Sequence, residues 1–462
     1  MRVGTTKPHE PTRIKLTDKG LLAPAQLQRQ IGLPTATALI VGEIIAVGIF
    51  LTPAGMAKAL GSPLLLLLVW VVIAALSFCG ALCFGELAAR FPEAGGAYSY
   101  LREIYGPGVA FVFGWMSLLV MDPGLTAAIA TGAASYVAYG LHLSPRGNQI
   151  VAVLAIIVLA LANMRGVSLG AWFVRWLTIL KVGFLAFMVI WAFGAGKGNW
   201  SNFVPFVAQR SGSKPLIEAL AVGVVGSFFS YAGWWDVTKV AGEIKDPSRT
   251  MPRALVYGLL IVMLVYVSTS AAFVYLVPMD QVTNGQAFAA QVGEVLFGQT
   301  GVWLFSGFVI VAVLGSLAAI IMSAPRVYFA MARDGLFFPA AAVIHPHFNT
   351  PARCIALQAV LASILVLSGT FEQIVSYFFF VVLVFLGLTV FGLFLLRRRD
   401  TTPLGYLSPG YPVTPIVFLF LLLLMLFLLA AGQPKQSFLG CAVVLLGVPV
   451  YYLMFKRRSS QS

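Results

Sequence analysis

The chain has 462 residues, 60% of them hydrophobic and only 10% charged, with a formal net charge of +14 and a mean hydropathy of +0.92. Such values lie far outside the range of ordinary soluble domains and point to an all-α integral membrane protein. The basic residues come as short groups between apolar runs, so the charge reads as topology and no nucleic-acid partner is expected.

Apolar runs near 20 residues, the length that crosses ~30 Å of hydrocarbon at ~1.5 Å per residue, predict twelve transmembrane helices. They cover 33–59, 64–89, 108–139, 149–163, 169–194, 215–242, 252–277, 302–333, 354–369, 373–396, 412–431 and 437–455. With the N-terminus in the cytoplasm, the basic residues before Ile31, then Arg90, Arg102, Arg165, Lys245, Arg249, Arg253, Arg326, Arg333, Arg353, Arg397 to Arg399 and Lys456 to Arg458 fall inside. Only Arg146, Lys197, Arg210, Lys214 and Lys435 fall outside, which sets both termini in the cytoplasm of a multi-pass protein of the cell (cytoplasmic, or inner) membrane. Residues 1–32 are polar and lack the short apolar core of a leader, so they are expected to remain as a cytoplasmic N-terminal segment.

The first span contains "VGEIIAVGIFLTPAG", with Gly42, Gly48, Pro53 and Gly55 beside one carboxylate, Glu43. In the second span Cys79 and Cys83 read as small packing thiols; with Cys354 and Cys441 they lie in or beside apolar spans, where disulfides are not expected. The third span carries Asp122 before Pro123 and Gly124, which reads first as a buried polar hinge and second as a coupling site. In the fifth, Arg175 is close enough to the cytoplasmic surface to snorkel. Lys181, roughly 18 Å from both surfaces, is not, and requires polar partners. The sixth reads "GVVGSFFSYAGWWDVTKVAGEIKDP", with Gly223, Gly226 and Gly233 inside it and Asp236, Lys239 and Glu243 after them. Lys239 and Glu243, four apart, are expected to pair with each other or to form a gate with Arg333 and Asp334.

No phosphate-cradling loop followed by Lys and Ser/Thr is present, and His345 and His347 flank a proline without further ligands, so neither nucleotide hydrolysis nor a metal site is expected. No cofactor is implied. The buried acids Glu43, Asp122 and Asp236 are scattered over three spans, which favours a transporter over an enzyme. Spans one and six are both glycine-interrupted and five apart, as expected if spans one to five (33–194) and six to ten (195–399) are inverted repeats, followed by 400–462 with the last two spans. In that arrangement the amides of Val47, Gly48 and Ile49 at the first break suit a carboxylate. The free carbonyls near Phe229 to Tyr231 suit an ammonium group. Together they describe a receptor for an amino acid.

The segments "GIFLTPAG", "GELAARFPEAGGAYSYLREIYGP", "AGEIKDPSRTMPRA" and "SAPRVYFAMARDGLFF", in this order, resemble the amino acid, polyamine and organocation (APC) superfamily, and within it bacterial permeases similar to L-amino acid transporters. The resemblance runs from about Leu33 to Arg399. It implies a LeuT-type 5+5 inverted-repeat fold of twelve helices, with helices one and six broken, working by alternating access. It places substrate at Ile45, Ala46, Val47, Gly48 and Ile49 on the first helix and at Phe229, Ser230, Tyr231, Ala232 and Gly233 on the sixth, with Phe229 as an aromatic gate. Where the family has small-Ser-Gly, this chain has Ala46-Val47-Gly48, which removes one hydroxyl donor but no backbone amide. The resemblance also puts the ammonium of Lys181 where sodium-coupled relatives hold a cation, with Ser316 and the carbonyls of Gly42 and Ile45 as neighbours, and so implies transport without sodium.

Glu43 departs from the family pattern, and its readings are a proton-titrating carboxylate, a partner for Lys181, a counter-charge for a cationic substrate, or a carboxylate bonded by the broken backbone. The expected function is secondary transport of a neutral L-amino acid by exchange or proton-linked uptake. The alternatives are a cationic amino acid or polyamine exchanger, and a non-transporting sensor or assembly subunit with the same fold. Eukaryotic relatives join a glycoprotein through a cysteine between spans three and four; this chain has none between Cys83 and Cys354, so that partner is not expected.

Overall fold

The computed structural model describes residues 27–46, 48–141, 143–282, 288–368, 371–399, 405–432 and 434–455. Val47, most of the 1–32 segment and the end of the chain lie outside the described residues. Helices follow in the order α1 (Leu33–Ile44), α2 (Gly48–Leu60), α3 (Pro63–Arg90), α4 (Ala97–Tyr105), α5 (Pro107–Met116), α6 (Asp122–Leu141), α7 (Pro145–Met164), α8 (Val167–Gly194) and α9 (Leu216–Tyr231). They continue with α10 (Pro247–Leu276), α11 (Phe288–Phe297), α12 (Gln299–Ser323), α13 (Pro325–Arg333), α14 (Ala352–Ser368), α15 (Phe371–Arg399), α16 (Val413–Gly432), α17 (Pro434–Leu445) and α18 (Gly447–Val450). A π-helical turn, Ser117–Met121, joins α5 to α6, and a 3-10 segment, Asp236–Glu243, follows α9. Among the described residues there is no β-strand, only an isolated parallel bridge between Ile31 and Ile244.

Nine helical stretches among the described residues are long and apolar enough to cross a membrane, and three shorter apolar helices, Leu33–Ile44, Ala352–Ser368 and Gly440–Leu453, accompany them. The chain is a multi-pass helical membrane protein. Exposed side chains such as Leu154, Val158, Ile190, Leu264, Phe420 and Phe427 are aliphatic or aromatic, as a surface solvated by lipid tails requires.

Local sequence explains the helix ends around the first span. Pro34 sits in the first turn of α1, where its missing N–H costs nothing, and Ile45 leaves helical geometry at φ −74°, ψ 74°. The chain resumes as α2 at Gly48. Ser62 caps α3 by accepting the Leu65 amide, with Pro63 in the first turn. Packing then brings distant helices together in pairs: α2 lies on α9, α3 on α10, α6 on α12 and α7 on α14. The α1–α2 interruption and the end of α9 therefore meet inside the bundle.

Candidate functional site

The end of α9 is set by Ala232, at ψ 148°, and by Gly233, at φ +105°, a backbone state that L side chains rarely adopt. The amide of Asp236 donates to Gly233 O at 2.9 Å and starts the 3-10 segment. Gly48, at the first turn of α2, abuts this region so closely that a Cβ there would lie 2.6 Å from Ser230 Cα. Thr52 and Ser230 hydroxyls meet at 2.8 Å, and the Tyr266 hydroxyl of α10 lies 2.8 Å from both Ile44 O and Ser230 O. Carbonyls left by both interruptions thus share one donor. Ile45, Ala46, Gly48, Ile49, Ser230, Tyr231 and Gly233 are all buried there; Phe229 and Ala232 are half-buried. Trp234 packs edge-on to Phe84 at 5.1 Å and to Trp235 at 5.3 Å, so both indoles are packing groups.

Lys181 on α8 is 1% exposed. Its ammonium donates to Gly42 O at 2.9 Å, to Ile45 O at 2.8 Å and to Ser316 Oγ of α12 at 2.8 Å. The helix end at Ile45 supplies one of these oxygens, because a carbonyl that would bond the next turn of an unbroken α1 is free to face the lysine. Six residues before it, nearly two helix turns, Arg175 is exposed on the bundle surface.

Three buried carboxylates lie beside the breaks. Asp122 accepts from Ser117 Oγ at 2.8 Å, Tyr328 OH at 3.0 Å and Lys239 Nζ at 2.7 Å. Lys239 Nζ also lies 2.7 Å from Asp236 Oδ1. Glu43 is 6% exposed and neither of its oxygens has a hydrogen-bond partner. It makes no hydrogen bond to Lys181, whose donors are committed elsewhere, although the two charges act on each other; Asp236, Lys239 and Asp122 also act on it.

Two sequence expectations are corrected here. Lys239 does not pair with Glu243, and neither joins Arg333 and Asp334. Glu243 instead holds Arg326 of α13, with Nε to Oε1 at 2.7 Å and Nη2 to Oε2 at 3.3 Å. Asp334 is taken by Arg102 and by the Tyr98 hydroxyl, at 2.9 Å, both from α4. Burial, then the Asp334 charge, push the Tyr98 phenol above its ordinary range, so it remains a donor. The physical reason for the first error is helix type. In 3-10 geometry residues three apart eclipse, which sets Asp236 beneath Lys239 and turns Glu243 toward α13. Tyr266, Tyr328 and Arg326 were not singled out from sequence. A buried hydroxyl or guanidinium needs a partner, but the sequence does not say which.

With this geometry in view, comparison with known proteins is decisive at the family level. The profile of the family described as Amino acid permease matches residues 31–454. The chain belongs to that family. The permease is 29% identical over 438 residues to the serine/threonine exchanger SteT of Bacillus subtilis (strain 168), covering 94% of this chain and 98% of that one. It is 28% identical over 454 residues to the b(0,+)-type amino acid transporter 1 of Mus musculus, with 96% and 91% covered. Against the large neutral amino acids transporter small subunit 2 of Rattus norvegicus it is 30% identical over 438 residues, with 92% and 81% covered. The permease is therefore a transporter of amino acids and not an enzyme.

Proposed function

We propose that this permease is a sodium-independent secondary transporter of neutral L-amino acids that works by alternating access. Lys181 carries the reading. Its fixed ammonium engages Gly42 O, Ile45 O and Ser316 Oγ, leaving those oxygens committed where a sodium ion would need them. Substrate carboxylate would rest on the first turn of α2, at Gly48 and Ile49, with Val47, which lies outside the described residues, expected to contribute its amide, and the substrate ammonium on the carbonyls at the end of α9, from Phe229 to Gly233. Preference for a neutral side chain is supported by the names of two relatives, an exchanger of serine and threonine and a transporter of large neutral amino acids.

The inverted repeat of residues 33–194 and 195–399, within a twelve-span chain, is supported by the packing. The contacts α2–α9, α3–α10, α6–α12 and α7–α14 join the first four spans of one half to their counterparts in the other, as a pseudo-two-fold axis would arrange them. The basic-residue bias supports cytoplasmic termini in the cell membrane. The absence of cysteine between Cys83 and Cys354 argues against a glycoprotein held by a disulfide there.

The test uses purified protein in liposomes. Vesicles loaded with unlabelled serine or leucine should accumulate the labelled amino acid, equally in sodium and in choline buffer, and should discriminate against arginine and putrescine. Uptake that collapses in choline overturns the sodium-independent reading, and a preference for arginine or putrescine overturns the neutral one. No accumulation of any of the four under any condition favours a sensor or assembly role.

A further inference from the structure

We propose that Glu43 carries a proton through the transport cycle, so that amino acid movement by this permease is proton-linked; the proposal rests on the transporter reading above. The observation is an imbalance of partners. Glu43, Asp122 and Asp236 face two lysines, Lys239 and Lys181. Lys239 is divided between Asp122 and Asp236, each at 2.7 Å. Lys181 spends its donors on Gly42 O, Ile45 O and Ser316 Oγ. Both oxygens of Glu43 are buried without a hydrogen-bond partner; the Ser323 hydroxyl at the end of α12 acts on the carboxyl but donates to Ile320 O.

An ionised carboxylate cannot remain at this depth without water, a donor or a cation, because burial penalises the charged form heavily. Among the ligands that would neutralise it, a proton needs no room. Glu43 lies against the second break, with its Cβ 3.5 Å from where a Cβ on Gly233 would lie, an ordinary contact distance. The same placement gives the proton its link to transport. Glu43 precedes by two residues the Ile45 that ends α1, and it touches the glycine that ends the α9 helix, so any substrate-driven shift of either break moves the carboxyl relative to Asp236 and Lys239. In the closed site the carboxyl holds the proton; when the breaks part on the other side, water solvates the carboxylate and the proton leaves to that side.

The experiment compares the wild-type permease with Glu43→Gln in liposomes containing a trapped pH dye. Glutamine keeps the shape and mimics the protonated form. Wild-type uptake of labelled serine or leucine should rise as the external side is made acidic and should acidify the lumen in step with substrate. Whatever amino acid exchange Glu43→Gln keeps should have lost the pH dependence and should move no protons. Net wild-type uptake into vesicles free of internal amino acid that is flat with pH and carries no protons overturns the proposal while leaving the transporter reading intact; absence of both uptake and exchange in the wild type defeats the transporter reading itself. If Glu43→Gln keeps the pH response, another group carries the proton and the proposal fails. A shift from neutral substrates toward loss of arginine uptake alone would mark Glu43 as a substrate counter-charge, which also overturns it. Infrared difference spectra of the wild type provide a readout independent of turnover: a protonated carboxyl band that shifts on substrate addition and is missing from Glu43→Gln is expected, and its absence in the wild type counts against the proposal.

Discussion

Lys181 is held by oxygens alone, two of them backbone carbonyls that mutation of their own residues cannot delete. Lys181→Met keeps the length of the side chain and removes every donor of the ammonium, leaving Gly42 O and Ile45 O to share the single Ser316 hydroxyl, so that one of them is unsatisfied. Each unsatisfied group costs about 1–3 kcal/mol, so the thermal unfolding midpoint in detergent should fall clearly and exchange should drop at least tenfold. Ser316→Ala removes one acceptor of the ammonium and the hydroxyl that Gly42 O and Ile45 O share, but keeps the ammonium bonded to both carbonyls, at a cost of about 1 kcal/mol; it should lower the midpoint slightly and preserve most exchange. Equal losses in the two variants would mean that the lysine is not what closes this corner. The need for such a nest was legible in the sequence, since a lysine this far from either surface must find polar atoms. Which atoms they are came from the family resemblance, because two helices distant in sequence from α8, α1 and α12, supply them. Glu43 illustrates the opposite limit. Its oddity was visible in the residues, but its lack of a partner emerged only when the donors of both lysines were placed.

At the scale of helices, the interruptions were legible because glycine and proline cluster where an apolar span should be continuous. Their mutual contact was not. The approach of α2 to α9 depends on Gly48, where a Cβ would come 2.6 Å from a backbone atom, Ser230 Cα, which has no flexible end to move aside. Gly48→Ala must therefore separate the two helices, at about 1–3 kcal/mol for overpacking, and should break the 2.8 Å contact between Thr52 and Ser230. Gly55, two turns along the same helix, has nothing within 4 Å of its would-be Cβ. Gly55→Ala should be neutral or stabilising by about 0.5–1 kcal/mol, as expected for alanine in place of glycine in a helix. Melting curves of both variants, followed by exchange assays, check the pair; a Gly48→Ala protein that melts and exchanges like the wild type would show that the breaks do not need this approach. The partners of Lys239 were hidden for a related reason. Its segment was expected to continue as an α-helix with i,i+4 pairing to Glu243, whereas 3-10 winding eclipses Lys239 with Asp236 at i−3.

Across the molecule, one end of the bundle is tied by charges that the sequence left unassigned. Glu243, after α9, holds Arg326 of α13, and both are 1% exposed. Arg102 and Tyr98 of α4 hold Asp334 at the end of the same α13. The Glu243 carbonyl also accepts the amides of Gln30 and Ile31 ahead of α1, at 2.8 and 2.9 Å. Segments leading into or out of α1, α3, α9 and α12 thus converge on α13 and its C-terminal residue, and alternating access requires that they part. Breaking a buried pair by removing one member costs about 3–5 kcal/mol, because the survivor is left charged without a counter-ion. Glu243→Gln should accordingly speed hydrogen–deuterium exchange in both 236–244 and 326–334, whereas the distant α16 keeps its wild-type rate. Adding Arg326→Met removes the stranded guanidinium, so the double variant should regain thermal stability relative to Glu243→Gln. It should not regain the protection of 236–244, since the tie itself remains absent. Exchange confined to residue 243 and its immediate neighbours, with 326–334 unchanged, would mean that the pair is local packing and that the end of the bundle is closed by other contacts.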